Sequence, residues 1–313
     1  MTNADLEKIV DTSDAWISEM TGIRERRIAA KDVGAADMGA EAARIAMKRA
    51  GIQPGEVDII VCSTATPDRL LPSTACDIQA LLGATNAAAY DISTACSGFI
   101  YGLQCAEGHI AAGRAEIALV ICTEKMSAII DWTDRNTCVI FGDGAGAAVV
   151  RKAGANGASG HAVLSSFIRS DGTLAELLWR PAGGARIPMD VGVLETSAHL
   201  VKMAGREVFK HAVRMMAESA DQALVKAGLT SNDIDLLIPH QANIRIIEAT
   251  ARYAGLPMEK VFVNIEKYGN MSSATIPIAL DEAVEQGRLK AGDHVLLVAF
   301  GAGFTWGSSV IRW

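Results

Sequence analysis

The sequence predicts an α/β protein built from two similar halves, and three observations carry that reading. Apolar runs at 57–63, 117–122, 235–239 and 294–300 alternate with helical periodicity at 36–50, 73–83, 97–112, 197–227, 243–254 and 273–286. This is the pattern of largely parallel sheets covered by helices. The chain also repeats itself: GIQPGEVDIIVCSTA from Gly51 parallels GLTSNDIDLLIPHQA from Gly228, AAGRAEIALVICTE at 111–124 parallels EQGRLKAGDHVLLVAF at 285–300, and FGDGAGAAVVR from Phe141 parallels FGAGFTWGSSVIR from Phe300. Three matches in one order indicate an internal duplication. Finally, 313 residues, half of them hydrophobic and 29 of them Gly, suffice for one large domain or two fused ones. The halves are expected at 1–155 and 156–313.

Each element has a local reason. Thr2-Asn3-Ala4-Asp5 is a helix-capping sequence, so the first half opens on a helix. The second half instead places a strand, GHAVLSSFIR at 160–169, ahead of its first long helix. One strand is therefore missing from the first half, which is expected to hold one fewer than the second, or the chain is a shortened form of a protein that begins upstream. The helices ending near Gly51 and Gly228 are each followed, seven positions on, by an Asp and a buried strand. AAAYDIS gives a strand leading to Cys96, and SGFIYGLQCAEGHIAAG puts Phe99, Leu103 and His109–Ile110 at helical spacing. KAGANGASG, 152–160, is small and Gly-rich and is the joint between halves. Asp171 to Glu195, with two prolines and a Gly-Gly, reads as a long surface loop.

Composition narrows the function. A formal net charge of −7 argues against a nucleic-acid surface and leaves room only for a local basic patch. MTNADLEKIVD has neither a basic n-region nor a long apolar run, so no secretory signal and no membrane anchor is expected and the cytosol is the expected compartment. Six cysteines, at 62, 76, 96, 105, 122 and 138, lack CxxC spacing and paired histidines, so they are expected to be free thiols with no metal.

Chemistry concentrates at three junctions. A free cysteine is ordinarily a small buried hydrophobe, and that is the reading for Cys62, Cys76, Cys105, Cys122 and Cys138. Cys96 differs because it lies where a strand gives way to a helix. Unpaired N–H groups and the helix dipole there favour a thiolate, so its pKa is expected to fall. In the second half the strand IDLLIP ends in His240, at the edge where α/β proteins bind ligands. EKYGNMSSATIPIA places Asn270 in a Gly-Asn turn before another helix. A Cys on one half with a His and an Asn on the other reads as a nucleophile with two polar partners.

TACSGF around Cys96, FGDGAGA at 141–147, PHQAN at 239–243, YGNMSSA at 268–274 and FGAGFTWG at 300–307 together resemble β-ketoacyl-acyl carrier protein synthase III, the initiating condensing enzyme of bacterial fatty-acid synthesis. The likeness runs the whole chain. It implies a thiolase fold of five layers (αβαβα) with pseudo-twofold halves, and a homodimer. It also implies decarboxylative condensation of an acyl-coenzyme A primer, a substrate rather than a cofactor, with malonyl-acyl carrier protein. In that pattern Cys96 carries the acyl group, while His240 and Asn270 hold the enolate. The backbone N–H groups of Cys96 and Ala302 form an oxyanion hole. Trp16 and Arg135 clamp the adenine of coenzyme A, with Thr21, Gly205, Phe209 and Asn243 as further contacts. Leu71, reaching across the dimer, and Phe300 shape the acyl pocket, and Lys210, Arg245 and Arg252 receive the acidic carrier protein.

Three positions depart from the family pattern. Ala302 stands where Gly is usual, which restricts φ in that turn. Met20 replaces a phosphate-contacting Arg, pointing to weaker coenzyme A binding or another acyl carrier. Leu71 replaces a frequent Phe, which admits a longer or branched primer. A synthase III-like enzyme priming a polyketide or special lipid is thus an alternative. A Cys-His-Asn thioesterase and a non-enzymatic interaction protein are weaker ones.

Overall fold

The computed structural model describes residues 1–153 and 160–313. The expected boundary at 155/156 lies outside the described residues. In chain order the elements are α1 (Asn3–Leu6), α2 (Asp14–Thr21), α3 (Ala35–Ala50), β1 (Ile59–Ser63), α4 (Thr74–Leu82), β2 (Ala88–Ile92), α5 (Gly98–Ala111), β3 (Ile117–Lys125), β4 (Asp143–Arg151) and β5 (Ala162–Ser170). They continue with β6 (Leu178–Trp179), α6 (Val191–Glu195), β7 (Lys202–Met203), α7 (Gly205–Ala227), β8 (Leu236–Pro239), α8 (Ile244–Tyr253), α9 (Ile265–Tyr268), α10 (Thr275–Glu285), β9 (His294–Gly301) and β10 (Thr305–Arg312).

Two four-stranded sheets follow, in the orders β2-β1-β3-β4 and β5-β10-β9-β8. In each, a parallel pair (β1 with β3, β8 with β9) is extended by an antiparallel partner (β4, β10). The three repeated stretches of sequence therefore fall on equivalent strands. Because successive side chains of a strand face opposite ways, each sheet feeds two cores. Ile59 and Val61 of β1 and Ala118, Val120 and Cys122 of β3 join Leu236 and Ile238 of β8 and Val295, Leu297 and Ala299 of β9 in a central core with α5 and α10. The alternate residues Ile60, Cys62, Leu119 and Ile121 pack under α3 and α4. On the far side, Leu237, Leu296 and Val298 pack under α7 and α8. The result is five layers, helix–sheet–helix–sheet–helix.

The expected strand deficit is half right. The first half does open on a helix: Thr2 caps α1, and the Asp5 carboxylate accepts the Thr2 N–H at 2.9 Å. Among the described residues no strand pairs with the outer edge of β4 in the way β5 covers β10. Yet each of the two main sheets has four strands, because the counterpart of β2 in the second half is a single bridge between Val261 and Leu237, and the second half adds the two-stranded ribbon β6-β7. Two other expectations are corrected. The long helix of the second half starts at Gly205, not 197, because residues 197–203 bond elsewhere: Val201 N–H reaches Ile129 O at 2.9 Å and Lys202–Met203 pairs with β6. The stretch read as a loop contains a 3₁₀ turn at Gly172–Leu177, β6 and α6.

Candidate functional site

The strand β2 turns into α5 through a 3₁₀ turn, Ala95–Ser97, that holds Cys96 at its centre. Ala95 takes φ 44°, a left-handed conformation that an L-residue adopts only under restraint. The restraint comes from both halves. Ser97 Oγ donates to Thr305 Oγ1 at 2.7 Å, and Thr305 in turn reaches Thr94 O at 2.9 Å. Gly301 lies so close that a Cβ there would stand 2.6 Å from the Cys96 nitrogen, which is why that strand end must be Gly. The neighbouring Ala302 is not among the side-chain-bearing residues with positive φ, and the unusual angle falls on Gly303 at 141°. Ala302 is thus accommodated.

His240 ends β8 and Asn270 follows α9, and both are buried, as is Cys96. The three converge on one short turn, Ser272–Ala274, just before α10. The Cys96 thiol donates to Ser272 Oγ at 3.6 Å, and Asn270 Oδ1 accepts the Ser272 N–H at 2.8 Å. Thr275 Oγ1 stands 2.6 Å from His240 Nδ1 and 3.2 Å from Ser272 O. Ser272 itself has φ 48°, so the hub of the site is a second strained residue. With Oδ1 engaged, the Asn270 amide nitrogen is the end left for a ligand. Ser272, Thr275 and the buried Glu124 behind them were not singled out by sequence reasoning. The only signal was the unusual run of hydroxyls, SSAT, entering an otherwise apolar helix, and a carboxylate closing the apolar run IALVICTE.

The electrostatics reverse one expectation. The Cys96 thiol is not lowered by its helix end. Burial, with the nearby Glu124 carboxyl adding to it, pushes it up to about 12 against the opposing bond to Ser272. Burial likewise lowers His240 to about 3, so the imidazole is neutral. The resting site therefore contains a protonated thiol and an uncharged histidine.

The outlying residues divide. The guanidinium of Arg135 lies 4.4 Å above the Trp16 ring, so the two residues expected to take an adenine between them stack on each other here. Thr21 is a correction: it is buried, donating to Ile17 O at 2.6 Å and accepting from Ile23 N–H at 3.0 Å, so its hydroxyl is not offered to a ligand. Asn243 is another. It caps α8 through Arg245 N–H at 2.8 Å and ties that helix to α2 by donating to Met20 O at 2.9 Å, which uses its amide at both ends. Gly205 opens α7, and Phe209, 39% exposed, and Lys210 follow on its outer surface. Arg245 and Arg252 are exposed on α8, and no carboxylate pairs with these two or with Lys210 among the described residues. Phe300 is buried against Phe304, ring centroids 4.7 Å apart. Leu71 is 87% exposed.

Comparison with known proteins gives one answer. Residues 90–172 match the family model described as 3-oxoacyl-[acyl-carrier-protein] synthase III, and residues 224–313 match that of its C-terminal part. The chain is 52% identical over 313 residues to a β-ketoacyl-[acyl-carrier-protein] synthase III of Caldanaerobacter subterraneus, covering 100% of this chain and 93% of that one. Among solved structures it is similar to the 3-oxoacyl-[acyl-carrier-protein] synthase III of Aquifex aeolicus, at 47% identity and TM-score 0.91, covering 100% of this chain and 95% of the other. It is also similar to the priming β-ketosynthase of the R1128 polyketide pathway, at 35% identity and TM-score 0.92, covering 100% and 91%.

Proposed function

The chain belongs to the 3-oxoacyl-[acyl-carrier-protein] synthase III family of condensing acyltransferases, and we propose that it joins an acyl-coenzyme A primer to malonyl-acyl carrier protein, releasing carbon dioxide and 3-oxoacyl-acyl carrier protein. The observation that carries the reading is the convergence of Cys96, His240 and Asn270 on Ser272 from two halves of the molecule.

In the first half-reaction Cys96 sulfur attacks the primer carbonyl and coenzyme A leaves. A thiol suits this step because sulfur is both nucleophile and leaving group. The tetrahedral oxyanion falls to the N–H groups of Cys96 and Ala302. In the second, malonyl-carrier protein loses carbon dioxide and its enolate attacks the acyl-Cys. Neutral donors must hold that enolate, and we assign the His240 Nε2–H tautomer, with Thr275 giving its proton to Nδ1, the shorter of its two contacts. The free Asn270 amide nitrogen is the second donor. A thioesterase would need water activated at the acyl-Cys, and a histidine at about 3 is a poor base for that.

Trp16 and Arg135 then receive the adenine, Gly205 and Phe209 line the approach of the pantetheine arm, and Lys210, Arg245 and Arg252 offer the acidic carrier protein three unpaired cations. We read the enzyme as a cytosolic homodimer, with Leu70 and Leu71, 82% and 87% exposed, seated on the second copy and Leu71 completing the pocket beside Phe300. Fatty-acid initiation is favoured over polyketide priming because the synthase III of Caldanaerobacter subterraneus and that of Aquifex aeolicus, at 52% and 47% identity, are more similar to this chain than the polyketide ketosynthase, at 35%.

The test is product analysis across a panel of acyl-coenzyme A primers with malonyl-carrier protein. Ketoacyl-carrier protein and carbon dioxide in equal amounts are expected, and none from Cys96→Ala. Free acid as the sole product would refute the reading. His240→Ala or Asn270→Ala should slow condensation by roughly 10²-fold or more while Cys96 still becomes acylated.

A further inference from the structure

Glu124, near the end of β3, is fully buried and meets no cation among the described residues. Its carboxyl accepts the Ala65 N–H at 3.0 Å, the Thr66 hydroxyl at 2.9 Å and the Ser273 hydroxyl at 2.8 Å, and the Ser272 hydroxyl adds a further contact. Ser272 is the same residue that receives the Cys96 thiol at 3.6 Å. The titratable groups that feel the carboxyl are thiols: Cys62 on β1, Cys122 on its own strand and Cys96. Two acidic groups thus flank one pair of serine hydroxyls in a site closed to water, and a second negative charge there would be strongly opposed.

We propose that Glu124 is a positioning residue that exchanges one proton with Cys96 through Ser272, with Ser273 holding the carboxyl, so that the pair carries one negative charge in the free enzyme, none in the acyl-enzyme and never two. The proposal rests on the reading of Cys96 as the nucleophile. At rest we place the charge on the carboxylate, where four donors oppose the burial that raises its pKa, and the proton on the thiol, which burial also pushes up. During acylation the bond from sulfur to the primer carbonyl forms and the primer's C–S bond breaks. The thiol proton passes to Ser272 as that hydroxyl releases its own toward Glu124, and coenzyme A leaves as a thiolate that takes a proton from solvent. During condensation the new C–C bond forms, the acyl C–S bond breaks, and the Cys96 thiolate recovers the proton from the Glu124 carboxyl by the same route.

The experiment is alkylation of the full-length protein by iodoacetamide from about pH 5 to about pH 10, with modification at Cys96 followed by peptide mass mapping. The wild-type rate should rise to a plateau as the pair loses its first proton and turn upward again at the alkaline end of the range, where the buried thiol begins to lose its own, the mark of a coupled pair. Glu124→Gln keeps the size and removes the charge. It should collapse the profile to one step and label Cys96 about 10-fold faster near pH 8, because the competing anion is gone. A Glu124 that merely held the fold would leave the shape unchanged, and a wild-type profile of one step superimposable on the variant's overturns the proposal. Circular dichroism reports whether Glu124→Gln folds. If it does not, Ser273→Ala serves: loss of one donor to the carboxylate should move the first step to higher pH, and an unmoved step is equally fatal. Failure of the underlying reading looks different, since acyl transfer from primer would then persist in Cys96→Ala.

Discussion

At the scale of single residues, the site is governed by a competition that the sequence shows only in part. A helix end favours a thiolate, but only where solvent or a cation shares the charge, and Cys96 has neither. Burial wins, and the thiol stays protonated until its proton has somewhere to go. The same burial keeps His240 neutral, which is what a donor to an enolate requires. The identity of that donor atom depends on Thr275. Thr275→Val preserves shape but removes the hydroxyl that fixes the tautomer, and should lower condensation by about 10- to 100-fold, the range for one misdirected donor. Thr275→Ser should restore most of the rate. Comparable rates for the valine and serine variants would show that the imidazole is held some other way.

At the scale of elements, strand-to-helix junctions explain both what could be read in advance and what could not. Cys96, His240 and Asn270 were legible because each is a reactive or polar residue at the end of an apolar run, where a fold of this class exposes side chains to ligands. Ser272, Thr275 and Glu124 were not. A serine before a helix reads as a cap and a glutamate after a strand reads as a surface residue, and only the contact between Glu124 and Ser273, separated by 149 positions, gives either a different meaning. Asn243 shows a second use of a motif residue, since it caps α8 and ties that helix to α2. Asn243→Ala should therefore cost about 1 kcal/mol of stability, the usual loss for an N-cap, with the primer KM unchanged. A raised KM at unaltered stability would return Asn243 to the binding site. Gly98 illustrates how tightly the junction is built: a Cβ there would fall 1.8 Å from Ser63 Oγ. Gly98→Ala should destabilise by roughly 1–3 kcal/mol, as overpacking does, measured by the urea midpoint.

At the scale of the whole molecule, duplication makes the site possible. Two equivalent sheets each pack one face on a shared helical layer of α5 and α10, and the site forms where β2 and β8 end beside that layer, so one half supplies the sulfur and the other the donors. The buried polar network this creates links stability to pH, and His240 gives the sign. In the unfolded chain its imidazole takes up a proton near 6.5, whereas in the folded protein it refuses one down to about 3. Between those values the unfolded chain holds the extra proton, so His240 costs nothing above 6.5 and weakens the fold progressively as pH falls below it. From pH 7 to pH 5 that amounts to about 2 kcal/mol. Glu124 titrates in the opposite sense, its pKa being raised by burial, so wild-type stability alone mixes the two. Comparison with His240→Asn isolates the first. Urea unfolding at both pH values should show the variant gaining on wild type by about 2 kcal/mol on acidification. A gap that stays constant with pH would mean that the imidazole of the folded protein is charged or reached by water, and the assignment of a neutral donor at the centre of the site would fall with it.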